Sequence, residues 1–296
     1  MHRFKKEVIT IGASNIVSSL HTLEAVVKPK LCVFVTPGNP GVIDFYHKYM
    51  LSLYESANCK VEVCGLSLAG HAPGLDNQGR LFTLQQQIEH KEDYLTQKLQ
   101  ANPDLKVVLV GHSVGAYIML HTLEKLAPER VAGYWGLYPT IQHIGASPNG
   151  VRLTPLFEWY NLIGYTASWL QYLPLRIKKT IVRPFVKSGE ETNLDVVASL
   201  INYSTAANAI SMAKEEMANI LDIDESIIHD HGDKMTFFFA EGDEWAPVSH
   251  YHDMTERFPK SQILLCENNT HHGFVVFDEE ADLMGKLSCA WLDHLL

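Results

Sequence analysis

Apolar and polar positions alternate along the chain with two periods, one typical of buried strands and the other of amphipathic helices. Short apolar runs, several of them rich in β-branched residues, predict strands at 7–11, 15–27, 30–35, 60–66, 106–110, 131–137, 234–240 and 262–266. Helical spacing of apolar residues predicts helices at 42–55, 83–99, 116–124, 248–257 and 280–294. The first two strands are interpreted as an antiparallel pair. The alternation that follows predicts an α/β fold with a mostly parallel central sheet and helices on both faces.

The alternation is interrupted between residues 145 and 216. We therefore predict a single core domain formed by residues 1–144 and 217–296, with residues 145–216 inserted as a helical cap, or lid, above the sheet. Within the insert, residues 152–187 contain six basic residues and one acidic residue, while residues 159–175 carry no charge. The same segment is rich in aromatic residues, and prolines divide it into short pieces.

The composition is that of a globular protein, with 296 residues of which 46% are hydrophobic and 20% charged. The formal net charge of −10 argues against nucleic acid as a general partner, because phosphate binding requires a basic surface. Five scattered cysteines without a C-x-x-C pair argue against a disulfide framework or a zinc site and favour a reducing compartment. We expect no secretory signal and no conventional membrane span, since no cleavable apolar leader and no run of about 18 apolar residues is present.

The sequence Gly-His-Ser-Val-Gly at residues 111–115 lies between the strand predicted at 106–110 and the helix predicted at 116–124. A serine in such a turn projects its hydroxyl group outward, and glycine is needed at both ends because a Cβ there would collide with the neighbouring strand or helix. This is the nucleophile elbow of a serine hydrolase, so we predict that Ser113 is the nucleophile. A chance match is the alternative, but it would seldom fall between a buried strand and an amphipathic helix.

A serine hydroxyl needs a histidine to accept its proton, and that imidazole needs a carboxylate to fix its tautomer and stabilise its charged form. Around such an elbow both partners follow the serine, the acid before the histidine, each on a loop after a later strand. Asp243 follows a glycine after the seventh predicted strand, with Glu244 as its rival. His272 precedes Gly-Phe after the eighth predicted strand, with His271 as its rival. We therefore predict that Asp243 and His272 complete a catalytic triad.

The tetrahedral intermediate of acyl transfer carries a negatively charged oxygen, which needs two preorganised hydrogen-bond donors. We predict the backbone N–H of Val114 as one donor. The second is expected from Pro-Gly-Asn-Pro-Gly at residues 37–41, where Gly38 lets the backbone approach the substrate. Asn39 offers its N–H there, whereas Pro40 has none. A purely structural turn is the alternative for this loop.

The other histidines give no comparable signal. The pairs His229/His231 and His250/His252 lack an evident third ligand, so neither a metal site nor a cofactor is predicted. His112, which precedes the predicted nucleophile, is expected to pack or to form a hydrogen bond beside it.

With these residues in place, the chain resembles the α/β-hydrolase superfamily over essentially its whole length, and more narrowly the lipid droplet-associated hydrolase family. The marks are Pro-Gly-Asn-Pro-Gly at residues 37–41, Gly-His-Ser-Val-Gly-Ala-Tyr at residues 111–117, and the aromatic, proline-broken insert. Many hydrolases share the elbow, so the proline-framed loop together with the insert is the more specific mark. The resemblance implies an α/β-hydrolase fold and a serine ester hydrolase of lipids, sterol (cholesterol) esters among them. It also implies a location on lipid droplets and on the cytosolic face of the endoplasmic reticulum.

Alternatives stay open for the insert and for the function. The aromatic residues suit an apolar–aqueous boundary and the basic residues suit anionic headgroups, which favours docking on a lipid droplet monolayer or an endoplasmic reticulum membrane surface without spanning it. A cap packed wholly on its own domain is the alternative. For the function, the alternatives are a droplet scaffold with little or no turnover and a hydrolase of other esters or of thioesters.

Overall fold

An eight-stranded sheet forms the centre of the computed structural model, which describes residues 2–185, 191–266, 270–292 and 295. In chain order the strands are β1 (Lys5–Ile11), β2 (Ile16–Leu23), β3 (Leu31–Thr36), β4 (Glu62–Leu66), β5 (Lys106–His112), β6 (Val131–Leu137), β7 (Met235–Ala240) and β8 (Gln262–Cys266). Their order across the sheet is β1-β2-β4-β3-β5-β6-β7-β8. The β1–β2 and β2–β4 pairs are antiparallel, and the other described pairs are parallel. The predicted α/β fold class is confirmed.

The second strand is shorter than predicted. It ends at Leu23, whereas the sequence predicted a strand as far as residue 27. Leu23 already pairs with Val63 at the beginning of β4, so β2 ends where its partner does. Val26 and Val27 lie beyond this point and are exposed, so their apolar side chains do not extend the core.

Helices cover both faces of the sheet. They are α1 (His47–Ser56), α2 (Leu84–Ala101), α3 (Val114–Lys125), α4 (Pro148–Phe157), α5 (Tyr160–Leu170), α6 (Leu175–Val182), α7 (Glu191–Ser199), α8 (Tyr203–Asn219), α9 (Glu225–His231), α10 (Val248–Arg257) and α11 (Asp278–Leu292). Successive residues of β3 point to opposite faces, as the pleat of a strand requires. Phe34 belongs to the apolar cluster that includes α2, α3, α9 and α10, and Val33 belongs to the cluster that includes α1 and α11.

Of the described helices between β6 and β7, α4 to α7 and most of α8 lie in the segment predicted to be an insert. Asn208 on α8 ties the segment to the core, because its side chain donates to the carbonyl of Arg80 and accepts from the N–H of Phe82, at 3.1 and 3.0 Å. α4 and α5 in turn pack against α8. Since α8 continues to Asn219, one helix crosses the boundary predicted at residue 216, and the division into core and cap stays a prediction.

Exposed apolar side chains are concentrated on α4, α5, α6 and the turns between them. They include Val151, Leu156, Trp159, Leu162, Tyr165, Trp169, Tyr172, Leu175 and Ile177, and we call this set the aromatic surface. Among the helices of the described residues, none combines the length and the apolar character needed to cross a bilayer. Residues 186 and 187, at the end of the basic segment identified from the sequence, lie outside the described residues.

Candidate active site

The turn between β5 and α3 holds Ser113 in an unusual backbone conformation, with φ 54° and ψ −126°. A positive φ is uncommon for a residue with a Cβ and is found where the surrounding structure imposes it. A Cβ on Gly111 would overlap the carbonyl group of Gly115, and a Cβ on Gly115 would overlap the carbonyl group of Thr36. The close approach of strand and helix therefore requires both glycines, in agreement with the steric argument made from the sequence.

Ser113, His272 and Asp243 lie in one line of hydrogen bonds. The Oγ of Ser113 is 2.9 Å from the Nε2 of His272, and the Nδ1 of His272 is 2.7 Å from the Oδ2 of Asp243. The three residues follow β5, β8 and β7, so the carboxyl ends of three parallel strands of one sheet bring them together. In this geometry the imidazole can accept the serine proton at one nitrogen while the carboxylate binds the N–H at the other.

The surroundings of Asp243 keep its carboxylate ionised, although the side chain is fully buried. Its Oδ1 accepts hydrogen bonds from the N–H groups of Trp245 and Ala246, at 2.8 and 3.0 Å. Burial alone would raise the pKa of Asp243, but the interactions with His272 and with these two N–H groups outweigh burial and lower that pKa below its ordinary value. The acid is therefore charged and able to stabilise a protonated imidazole.

The two rival residues have other partners. The Nδ1 of His271 lies 2.7 Å from a carboxylate oxygen of Glu280, whose other oxygen accepts from the N–H of His271. Glu244 is exposed and lies 3.3 Å from the guanidinium group of Arg152. The structure thus brings the preferred acid and histidine, and not their rivals, to the serine. Their catalytic roles stay a prediction.

The loop after β3 lies directly against the serine. A Cβ on Gly38 would come within 2.7 Å of the Ser113 Cβ, so only glycine lets the loop approach this closely. The N–H of Gly38 donates to the hydroxyl of Tyr46 at 2.8 Å and is thereby occupied. Within the described part of the chain, the N–H groups of Asn39 and Val114 have no hydrogen-bond acceptor. Both remain available to bind an oxygen of the substrate, as the prediction requires.

A chain of buried hydrogen bonds joins this loop to the histidine loop through His112. The hydroxyl of Tyr46 is 2.6 Å from the Nδ1 of His112, and the Nε2 of His112 is 2.8 Å from the carbonyl oxygen of His272. Burial lowers the pKa of His112 to about 3, so the ring is neutral near neutral pH. A neutral ring can accept from Tyr46 and donate to the carbonyl. The sequence predicted a packing or hydrogen-bonding role for His112 but gave no signal for Tyr46, which lies in a short apolar stretch.

Ser113 and His272 open onto a cavity of about 290 Å³. Most of its wall is apolar, and one face of α8 contributes Ala209, Ile210, Ala213, Glu216 and Met217. Glu216 is the exception to the apolar lining of this face, and burial raises its pKa to about 8. Its Oε1 accepts a hydrogen bond from the Nδ2 of Asn39 at 3.3 Å. The sequence analysis missed Glu216, because an acid in a charged stretch such as Lys214-Glu215-Glu216 is usually a solvated residue.

Two other clusters in the described residues carry atoms that can bind metal ions. They are His21 with Asp44 and His47, and Cys32 with Glu62 and Cys64, whose ligand atoms lie within 4.8 Å of one another in each cluster. These atoms already have protein partners, since the two imidazoles are 2.7 Å apart and the two thiols 3.3 Å apart. Neither cluster includes a residue that lines the cavity, so neither contributes to chemistry at the serine.

The sheet, the serine turn after β5, and the acid and histidine loops after later strands define an α/β-hydrolase. Solved structures of this class are similar over nearly the whole chain. A serine hydrolase from Cycloclasticus zankles has a TM-score of 0.67 and 15% identity, covering 99% of each chain. An esterase from Exiguobacterium antarcticum has a TM-score of 0.66 and 15% identity, covering 98% of this chain and 99% of the esterase. At these identities the likeness shows the fold, which confirms the predicted α/β-hydrolase fold.

Sequence comparison identifies the family within this class. The family model described as lipid-droplet associated hydrolase matches residues 29–275. A human protein named lipid droplet-associated hydrolase is 32% identical over 279 residues, covering 88% of this chain and 85% of the human protein. The chain belongs to the lipid droplet-associated hydrolase family, and the resemblance inferred from its motifs is confirmed.

Proposed function

We propose that the protein is a serine ester hydrolase of lipids, with Ser113, His272 and Asp243 as its catalytic triad. The observation that carries the proposal is the alignment of these side chains, at 2.9 and 2.7 Å, at the opening of a mostly apolar cavity. A serine so aligned has a base for its proton, and an apolar cavity suits the hydrocarbon part of a lipid. Membership of a hydrolase family supports the same class of reaction.

The reaction follows from the positions of these groups. His272 accepts the hydroxyl proton as the Oγ of Ser113 attacks the ester carbonyl carbon, and the N–H groups of Asn39 and Val114 bind the resulting oxyanion. The intermediate collapses with cleavage of the ester C–O bond, and the leaving alcohol takes the proton from His272. Water then attacks the acyl-enzyme, giving one proton to His272, which returns it to the serine oxygen. Asp243 stays ionised throughout, and the products are a carboxylic acid and an alcohol.

The lipid nature of the substrate rests on the cavity and on the family. Relatives carry the name lipid droplet-associated hydrolase, and Ile144, Leu153 and Phe157 contribute apolar side chains to the cavity wall. Among lipid esters we propose sterol esters, cholesterol esters in particular, hydrolysed without a cofactor or a metal ion. The proposed place of action is the lipid droplet and the cytosolic face of the endoplasmic reticulum.

The aromatic surface supports docking on a lipid monolayer. Trp169 and Tyr172 are 79% and 83% exposed, and aromatic side chains with a polar end favour the boundary between lipid and water. Arg152, Arg176 and Arg183 are exposed in the same segment and suit anionic headgroups. A droplet has an apolar interior beneath a single monolayer, so shallow insertion of this surface is sufficient for attachment.

Covalent labelling with a fluorophosphonate tests the nucleophile. Ser113→Ala should abolish labelling and lower ester hydrolysis roughly ten-thousandfold or more, because triad members act as a unit. The exposed Ser226 supplies the control, and Ser226→Ala should be labelled like the unmodified protein. Labelling of the Ser113→Ala protein at the original rate would refute the assignment. An unmodified protein that resists labelling but binds droplets would favour the scaffold alternative.

Flotation with phospholipid-coated triacylglycerol droplets tests the docking surface. Replacing Trp159, Trp169 and Tyr172 together with serine should release the folded protein from the droplets, because most of the inserted aromatic area is lost. Val26→Ser with Val27→Ser is the matched control, since these exposed apolar residues lie outside the insert. If the triple variant floats as well as the control, the insert acts as a cap only and attachment lies elsewhere.

A further inference from the structure

The cavity beside the serine contains a polar group that the reaction above does not use. Glu216 lies on the cavity face of α8 between the apolar neighbours Ala213 and Met217 and is only 4% exposed. Its Oε1 accepts from Asn39, while its Oε2 has no hydrogen-bond partner among the described residues and is not completely enclosed by the protein. A buried carboxyl group costs free energy unless its hydrogen-bonding capacity is satisfied. The Glu216 carboxyl group in the cavity lining therefore has one oxygen without a hydrogen-bond partner in the described residues.

Asn39 adds a second unmatched atom to the same wall. Its Nδ2 donates to the carbonyl of Ala209 at 2.7 Å and to Glu216 at 3.3 Å, so both of its hydrogens are used. Its Oδ1 is buried and has no donor in the described structure. Because burial raises the pKa of Glu216 to about 8, the carboxyl group is mostly protonated near neutral pH and carries an O–H donor. The wall thus presents the carboxyl group of Glu216 to the cavity, whereas the Oδ1 of Asn39 is enclosed by the protein.

We infer that Glu216 binds a free hydroxyl group of the substrate, so that the preferred substrates are lipid esters carrying a hydroxyl, such as partial acylglycerols or esters of hydroxylated sterols. A hydroxyl group can accept from the carboxyl O–H or donate to a carboxylate oxygen, so it pairs with Glu216 in either protonation state. A carbonyl group only accepts, and an ammonium group only donates. The inference rests on the proposed function as a serine ester hydrolase of lipids, and within that class it favours hydroxylated esters over simple cholesterol esters, which have no free hydroxyl.

The site can discriminate between esters because some of them leave a polar group of the cavity wall without a hydrogen-bond partner. An ester without a hydroxyl displaces water from the cavity and leaves the Glu216 O–H without an acceptor, whereas a hydroxylated ester replaces the lost water. The difference of one hydrogen bond in a desolvated site corresponds to a preference of about tenfold or more in kcat/KM. A group that only positioned the Asn39 loop would instead change the rates for both esters by the same factor.

Two matched pairs of esters test the inference with the full-length protein. Mono-oleoylglycerol and propyl oleate differ in hydroxyl groups on the alcohol part, and methyl ricinoleate and methyl oleate differ in one on the acyl chain. We expect the hydroxylated ester of at least one pair to be preferred about tenfold in kcat/KM. Glu216→Leu should bring that ratio close to one, whereas Glu216→Gln, which keeps a donor and an acceptor, should retain most of it.

Met217→Leu changes an apolar residue of the same wall and should leave the preference intact. Fluorophosphonate labelling of every variant reports separately on the nucleophile. A labelled, active protein that shows no preference in either pair would overturn the inference while leaving the proposed function standing. A preference that survives Glu216→Leu would overturn it as well. Failure of the unmodified protein to react with the probe would instead count against the proposed function.

Discussion

Replacing Glu216 with glutamine should change how the stability of the protein depends on pH. Burial raises the pKa of Glu216 from its ordinary value of 4.5 to about 8, so the folded state holds a proton that the unfolded chain releases. The stabilisation that comes from this proton is complete below the unfolded pKa and is lost as the pH rises towards the folded pKa. Glutamine cannot ionise and shows no such loss.

The size of the effect follows from the two pKa values. Each unit of pKa difference corresponds to about 1.4 kcal/mol, and the range from about pH 5 to about pH 7.5 lies between the two values. Across that range the free energy of unfolding of the unmodified protein should fall by about 3 kcal/mol through this residue alone. The histidines also titrate there, but they are common to both proteins, so their contribution cancels in the difference.

Urea denaturation at a series of pH values measures the difference directly. Between about pH 5 and about pH 7.5, the free energy of unfolding of the Glu216→Gln protein should rise by about 3 kcal/mol relative to that of the unmodified protein. The denaturant slope should not change. Met217→Leu, a neutral substitution on the same helix, should shift the whole stability curve without changing its pH dependence. Parallel curves for the Glu216→Gln and unmodified proteins would show that the carboxyl group is ionised in the folded state and would refute the argument from burial.

Three further substitutions test the surroundings of the serine. Gly38→Ala should lower turnover at least about tenfold, because the new Cβ would press on the Ser113 Cβ, and unchanged steady-state kinetics would contradict this packing. Tyr46→Phe should lower the free energy of unfolding by about 1–3 kcal/mol, since two buried polar groups lose their shared hydroxyl; a thermal or urea melt that does not move would argue against the network. His272→Ala should lower turnover roughly ten-thousandfold. His271→Ala should cost far less, and the reverse ranking in an esterase assay would show that the base is misassigned.

The nucleophile turn was predictable because its determinants are contiguous in the chain. A strand, two glycines and a helix follow one another within the span from β5 to α3, so local sterics indicate Ser113 as the predicted nucleophile. The predicted acid and histidine came from a different rule, that both residues lie on loops after later parallel strands. That rule left neighbouring rivals at each position. The packing of the loops separates them, because it pairs His271 with Glu280 and Glu244 with Arg152.

The polar groups around the serine were beyond prediction because their partners are distant in the chain. Glu216 meets Asn39 across 177 positions, and Tyr46 meets His112 across 66. Such contacts depend on how α8 and the helical turn before α1 dock on the sheet, which periodicity does not determine. The roles predicted for the Asn39 and Val114 N–H groups stay predictions, although both groups lack other acceptors in the described residues.

Helix α8 borders both the cavity and the helices α4 and α5 of the predicted insert. One of its faces lines the cavity, while α4 and α5, which carry part of the aromatic surface, pack against it. A lipid layer that held the aromatic surface would therefore lie close to the wall of the cavity, because α4 contributes Val151 and Leu156 to that surface and Leu153 and Phe157 to the wall. For a protein attached in this way, the concentration of substrate that matters is the number of ester molecules per unit area of the layer. Droplet curvature and surface pressure then become variables of its enzymology, alongside the amount of lipid in suspension.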